Sequence, residues 1–219
     1  MRSFDYIESG KTLLTPHTTS LLAAIHEAKG RQSIQTTIRP DILGTLVAVA
    51  RIQSTDASNR IEGISTSDSR LNDLVSEKVT PRNRNEEEIA GYRDALSVIH
   101  ESHDYIPITP NVILQLHRDL FRHTPLTFAG HFKDSDNVII ERDAHGTSTV
   151  RFAPPSALVT PELIERACSA YTQAIRDGHT DPLLAIAMFI LDFICIHPFN
   201  DGNGRMSRLL TLLMLYRNG

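Results

Sequence analysis

The chain has 219 residues, 41% of them hydrophobic, with a formal net charge of -4 at pH 7. That is enough apolar material for one full core, as a single domain or as one domain with an N-terminal extension. The mild acidity and the lack of a long basic run argue against a dedicated nucleic-acid binder. The first residues read as an extended lead-in, and Met1-Arg2-Ser3-Phe4-Asp5-Tyr6 has no apolar signal core, so a cytoplasmic protein is expected. Leu21, Leu22 and Ile25 carry helical spacing over Thr18 to Lys29, with a stop at Gly30. Gln32 to Arg39 reads as a polar loop. Pro40 to Gln53 reads as a second apolar helix, with Ile42, Leu43, Leu46, Val47 and Val49 as core candidates.

Ser58-Asn59-Arg60-Ile61-Glu62-Gly63-Ile64 is a short amphipathic segment with an acidic residue beside a glycine stop. Local physics alone reads Glu62 as a solvated charge before a turn. A short helix is expected within Thr66 to Lys78. Asn85 is a candidate cap for a helix to about His100, and Glu86, Glu87 and Glu88 in its first turn read as dipole complement and solvation. Thr109-Pro110 opens the next helix. His100 with His103, and His117 with His123, lack a cysteine or acidic partner to complete a zinc set, so surface or locally paired histidines are expected.

From Gly130 to Phe152 the helical pattern breaks. Asn137-Val138-Ile139-Ile140 and Thr149-Val150-Arg151-Phe152 are β-rich runs flanking Asp143-Ala144-His145-Gly146, which reads as a hairpin. Thr160-Pro161-Glu162 caps a helix through Asp177. Cys168 and Cys195 lie in apolar helical patterns and read as buried free thiols of a reducing compartment. Thr180-Asp181-Pro182 starts a helix with almost no polar face, expected to be buried on all sides and to end near His197, because Pro198 follows. Its apolar run, Leu183 to Ile196, is too short to span a bilayer and is interrupted by Asp192, so no membrane partner is expected.

Between that run and a second one, Leu209 to Tyr216, lies His197-Pro198-Phe199-Asn200-Asp201-Gly202-Asn203-Gly204-Arg205-Met206-Ser207-Arg208. Buried polar groups are costly unless paired, so such density points to function. Phe199 reads as the apolar anchor of the loop. The glycines would let backbone N–H groups converge at a helix N-terminus, where the dipole favours an anion. Arg205 and Arg208 share a helix face in that first turn, and two guanidiniums beside a nest point to a polyphosphate. Asp201 could hold Mg²⁺, and His197 is the natural general base. The same residues would also make a tight turn with a histidine cap, and chemistry alone leaves both readings open.

His197 to Arg208 resembles the full signature of the Fic (Fido-domain) family. The resemblance covers the chain roughly from Glu88 onward and extends upstream through the Glu62 pattern. It implies a mainly α-helical bundle with one small β-hairpin. Residues 1–85 would form an N-terminal helical region, and residues 86–219 a catalytic core with a flap at about 130–152. It implies transfer of AMP from ATP, with Mg²⁺, to a tyrosine, threonine or serine hydroxyl of a target protein. His197 would take the hydroxyl proton, and Asp201 would hold the metal. Gly202, Asn203 and Gly204 would line the anion hole. Arg205 and Arg208 would hold the β- and γ-phosphates. The related Doc phosphotransferases carry lysine where this chain has Gly204, which favours AMP transfer. Ser58 to Gly63 matches the family's inhibitory pattern, so Glu62 would pair, as a bidentate carboxylate, with Arg208 where the γ-phosphate belongs. Asn137, Val138 and Ile139 would belong to the flap that clamps the target, and Lys133 leads into it. Removal of AMP by the same site and a nucleotide-binding module without turnover are the rival readings. Oligomeric state is left open, a homodimer included. An end at Gly219, so soon after this helix, also fits a chain cut from something longer.

Overall fold

The computed structural model describes residues 4–38, 40–142, 146–176 and 178–219. Among them are nine α-helices and a two-stranded antiparallel sheet, the mainly helical fold expected. In chain order these are α1 Tyr6–Leu13, α2 Pro16–Ile38, α3 Pro40–Ile61, α4 Asp68–Val75, α5 Arg84–Ser102, α6 Pro110–Leu120, β1 Ile139–Arg142, β2 Ser148–Phe152, α7 Thr160–Arg176, α8 Pro182–Ile196 and α9 Asn203–Arg217.

The core is built around α8. Ala185, Ile186, Met188, Phe189, Phe193 and Ile196 on this helix are all buried, against α7 on one side and α9 on the other. Helices α5 and α6 close the bundle over Met206, Leu209, Leu210 and Leu213 of α9. Asp181 starts α8 by accepting a hydrogen bond from the Leu183 N–H at 2.9 Å, as the sequence suggested. Burial of α8 is not complete, however, because Ala187 and Leu191 open to solvent. A smaller apolar cluster of Leu71, Leu74 and Ile89, flanked by Ile52 and Ile64, ties α3 and α4 to α5.

The N-terminal third departs from the sequence expectations in physical ways. The lead-in is helical, because Asp5 caps α1 and accepts from the Glu8 N–H at 2.9 Å. Tyr6 of that helix is buried, and its hydroxyl donates to Asp192 at 2.9 Å, which accounts for an acid inside α8. Gly30 does not stop α2, and Gln32 to Ile38 are helical, so the expected loop is corrected. A solvent-exposed glycine costs a helix only about 1 kcal/mol, so it weakens α2 without ending it. Leu21, Ile25, Leu46 and Val49 are 47–60% exposed rather than core, although His26 and Lys29 of α2 reach Asp181 and Asn218 of the bundle. Arg39 and the side chains of Ile42 and Leu43 lie outside the described residues, as do Asp143, Ala144, His145 and Asp177.

Helix α3 runs past Gln53 to Ile61, so the Ser58 segment is its last turn. Asn83, not Asn85, caps α5, accepting from the Glu86 N–H at 3.0 Å. The hairpin pairs Ile140 with Val150, Glu141 with Thr149 and Arg142 with Ser148, with an irregularity at Ile139. Asn137 and Val138 precede the strand rather than belonging to it. Cys168 is a buried free thiol pushed up to about 12 by desolvation, whereas Cys195 is only half-buried. No helix among the described residues is long and apolar enough to cross a membrane.

Candidate active site

His197 ends α8 in the left-handed region, at φ 50 and ψ 62, and its N–H donates to Phe193 O at 3.0 Å. A non-glycine residue there carries about 1–3 kcal/mol of strain and persists only where its surroundings over-determine it. The fixed turn swings the chain out of α8 and into the motif loop. His197 Nδ1 is buried without a well-formed hydrogen bond, so Nε2 is the nitrogen that can meet a substrate. Burial, then the Lys133 ammonium, hold the imidazole below its usual pKa, and the Ile194 carbonyl opposes them.

Phe199 is fully buried and pins the loop. Asn203 grips its backbone from both sides: the amide oxygen accepts the Phe199 N–H at 2.9 Å, and the amide nitrogen donates to the Phe199 carbonyl at 2.8 Å. The Asn203 side chain is thus committed to the loop. Gly202 follows at φ +81 under the Phe121 ring, where a Cβ would approach Phe121 to 2.9 Å. Both the angle and the space call for glycine. As N-cap of α9, Gly202 has no side chain with which to cap the helix. The first N–H groups of α9 are therefore available to an anion.

The two arginines share a helix face, as expected, but their side chains meet different partners. Arg205 is 1% exposed, donates to Glu88 at 2.7 Å, lies 4.9 Å over the Phe121 ring and stands 3.7 Å from Asp201. Arg208 turns the other way, toward α3. Its Nε donates to Ser58 Oγ at 2.7 Å, and one amino group reaches Ser58 O at 3.0 Å and Glu62 Oε1 at 2.7 Å. Glu62 is therefore held through one oxygen rather than bidentately. Its carboxylate lies against Gly204, where a Cβ would collide with Oε1. Asp201 is the open carboxylate of the loop: its side chain is 47% exposed, and Oδ1 accepts the Gly202 N–H at 2.5 Å.

Three supporting residues escaped the sequence reading. Glu88 is 4% exposed and answers both Arg205 and Arg84, so its place in an acidic run hid a buried role. Glu86, also buried, is drawn down to about 2, first by Arg70. His117 is fully buried, neither a surface nor a locally paired histidine. It stacks on Phe199 with ring centroids 3.7 Å apart and 2° between planes. Its Nδ1 accepts the Gly130 N–H at 2.9 Å, so Nε2 carries the proton and donates to Asp201 O at 3.1 Å. Burial lowers it to about 4. His117→Phe keeps a stack but strands the buried Gly130 N–H and the Asp201 carbonyl. A loss of about 2–4 kcal/mol is expected in urea unfolding, from two orphaned partners at about 1–3 kcal/mol each.

An apolar cavity of about 450 Å³ is lined by Phe4, Phe152, Pro154, Pro155, Cys195 and Ile196 among others. It lies where the hairpin rejoins the bundle. Among the described residues no three histidines, cysteines or acids gather to hold a metal. Asp201 alone fits a hard cation that takes its remaining ligands from phosphate and water.

Comparison with known proteins identifies the family. The Fic/DOC family model matches residues 107–215. A Fido domain-containing protein of Dictyostelium discoideum is 37% identical over 89 residues, covering 39% of this chain and 57% of the relative. Protein adenylyltransferase fic-1 of Caenorhabditis elegans is 28% identical over 144 residues, covering 62% of this chain and 25% of that protein. This chain thus spans little more than half the length, or less, of these curated relatives. The crystal structure of a Fic domain-containing signaling protein from Bacteroides thetaiotaomicron superposes with a TM-score of 0.71 at 25% identity, covering 82% of this chain and 67% of the other. With its motif loop set between α8 and α9 as described, the chain belongs to the Fic/DOC family.

Proposed function

We propose that the chain is a protein adenylyltransferase that transfers AMP from ATP to a hydroxyl side chain of a target protein, with Glu62 as its built-in brake. The observation that carries this reading is the Glu62 carboxylate, an anion bonded to Arg208 over the uncapped start of α9. A site already configured for one anion suits the outer phosphates of a nucleotide. The relatives named protein adenylyltransferases support the choice of AMP as the group moved.

In the reaction, the target oxygen attacks the α-phosphorus as its proton passes to His197 Nε2. The bond from the α-phosphorus to the bridging oxygen breaks, and pyrophosphate leaves. The α9 N–H groups at Asn203, Gly204 and Arg205 receive phosphate oxygens. Arg208, once released from Glu62, takes the γ-phosphate. The burial of Arg205 gives it a different task from the one its spacing suggests: paired with Glu88, it keeps Asp201 in place. Mg²⁺ held by Asp201 would neutralise charge on the polyphosphate. Asn137, Val138 and Ile139 lead into an exposed strand whose edge can pair with an extended target segment without reading its sequence. Residues 1–85 would then serve regulation, and residues 86–219 the chemistry.

The test uses ATP labelled at either the α- or the γ-phosphate, with Mg²⁺ and a lysate or the chain itself as acceptor. Label on protein from the α-position alone is the expected result. Label from the γ-position would mean phosphate transfer. Release of AMP from a premodified acceptor, with no forward labelling, would reverse the assigned direction.

A further inference from the structure

Lys133 lies in the loop between α6 and β1 and is only 3% exposed. A buried ammonium is expensive, so its contacts should account for it. Its backbone N–H donates to Pro198 O at 2.8 Å, and its Nζ donates to Ile196 O at 3.2 Å. One residue therefore holds the carbonyls on both sides of His197. The same Nζ donates to Asn137 Oδ1 at 3.0 Å, and Asn137 Nδ2 reaches Phe199 O at 3.4 Å. Asn137 stands two residues before β1, so the grip on His197 and the root of the hairpin share one hydrogen-bonded unit.

This unit supplies what the left-handed His197 needs. A strained φ of 50 survives where neighbouring peptides cannot rotate, and Lys133 holds the peptide before His197 and the one after Pro198. The charge also acts on the ring. From the α6–β1 loop, His197 faces the Lys133 ammonium, whose own acidic neighbour is Asp136. On α8 the charged group is Asp192, bonded to Tyr6. In the motif loop it is Asp201, held by Gly202 N–H and close to Arg205.

We propose that Lys133 is a positioning residue that locks His197 in its left-handed turn and couples it, through Asn137, to the hairpin that receives the target. The proposal deepens the adenylyltransferase reading and rests on His197 as the base. Lys133→Met keeps the aliphatic stem and removes donors and charge. Lys133→Gln keeps a donor without charge, and Lys133→Arg keeps both.

The experiment places these variants in a Glu62→Gly background and records the pH dependence of AMP transfer. In parallel, the His197 ring is titrated by NMR in otherwise unaltered chains. Lys133→Met should lower kcat by about 10- to 100-fold, the scale of a small misplacement of a reacting group, with KM for ATP within about twofold. Its acid limb should move to higher pH, because without the ammonium the imidazolium forms more readily. The His197 titration should move the same way. Lys133→Arg should restore the parent limb. Lys133→Gln should recover much of kcat while the limb stays displaced, and it keeps the test alive if Lys133→Met fails to fold. An unmoved limb and an unmoved titration, whatever happens to kcat, would overturn the proposal. If Glu62→Gly transfers no label in a His197-dependent way, the adenylyltransferase reading fails, while the NMR titration still decides the grip of Lys133 on His197.

Discussion

Glu62→Gly should raise the rate of AMP transfer by about 10- to 100-fold. The carboxylate accepts from Arg208 at 2.7 Å and rests where even a methyl group on Gly204 could not fit beside it. A γ-phosphate seeking Arg208 must displace it. A hydrogen bond between charged partners is worth about 1.5–3 kcal/mol net, and each 1.4 kcal/mol is about tenfold in an equilibrium constant. The Arg208 and Glu62 side chains are 30% and 36% exposed, so solvent screening places the effect toward the lower end. The substitution should spare the fold, because Glu62 lies beyond the last residue of α3 and beside Gly63, already at φ +76. Two measurements check this. Labelling should accelerate, and the Kd of a non-hydrolysable ATP analogue should fall by a similar factor in calorimetry. An unchanged Kd together with an unchanged rate would mean that the carboxylate blocks nothing.

The sequence made the fold class and the motif legible for different reasons. Period and caps gave α6 and α8, where Thr109 and Asp181 bond the first turns as their positions suggest. The twelve-residue run from His197 is legible because its residue types stand together in sequence, whatever they meet in space. What stayed hidden depends on long-range packing. Glu88 meets Arg205 across 117 positions, and His117 meets Asp201 across 84. Neither contact leaves a periodic trace, and an acidic run or a lone histidine reads by default as solvated. The same limit explains Arg205 and Arg208. Spacing put them on one helix face, but α5 claims the first and α3 the second. Lys133 was visible only as a basic residue near the hairpin. Its value lies in two carbonyls more than 60 positions away. The exposed Leu21, Ile25, Leu46 and Val49 mark the opposite failure, since apolar spacing gives a helix without saying that anything covers it.

His197→Ala should reduce transfer by about 10²- to 10⁴-fold, the usual contribution of a positioned general base. Nucleotide affinity should hardly change, because the anion contacts come from α9 and Arg208 rather than from this ring. That split separates a base from a binding residue: kcat falls while the Kd of the analogue stays put. The pH profile of the parent enzyme gives the same answer from the other side. Neutral imidazole is the working form. Burial and Lys133 both favour it, so the acid limb should lie below the usual histidine value of about 6.5. Activity should be flat through neutral pH and fall only as the ring is protonated below that value. An acid limb above 6.5 would mean that the imidazolium is stabilised at the site, which Lys133 beside it opposes. A fall in affinity equal to the fall in rate would move His197 from proton transfer to nucleotide binding, and Nε2 would then have to be read as a ligand to phosphate.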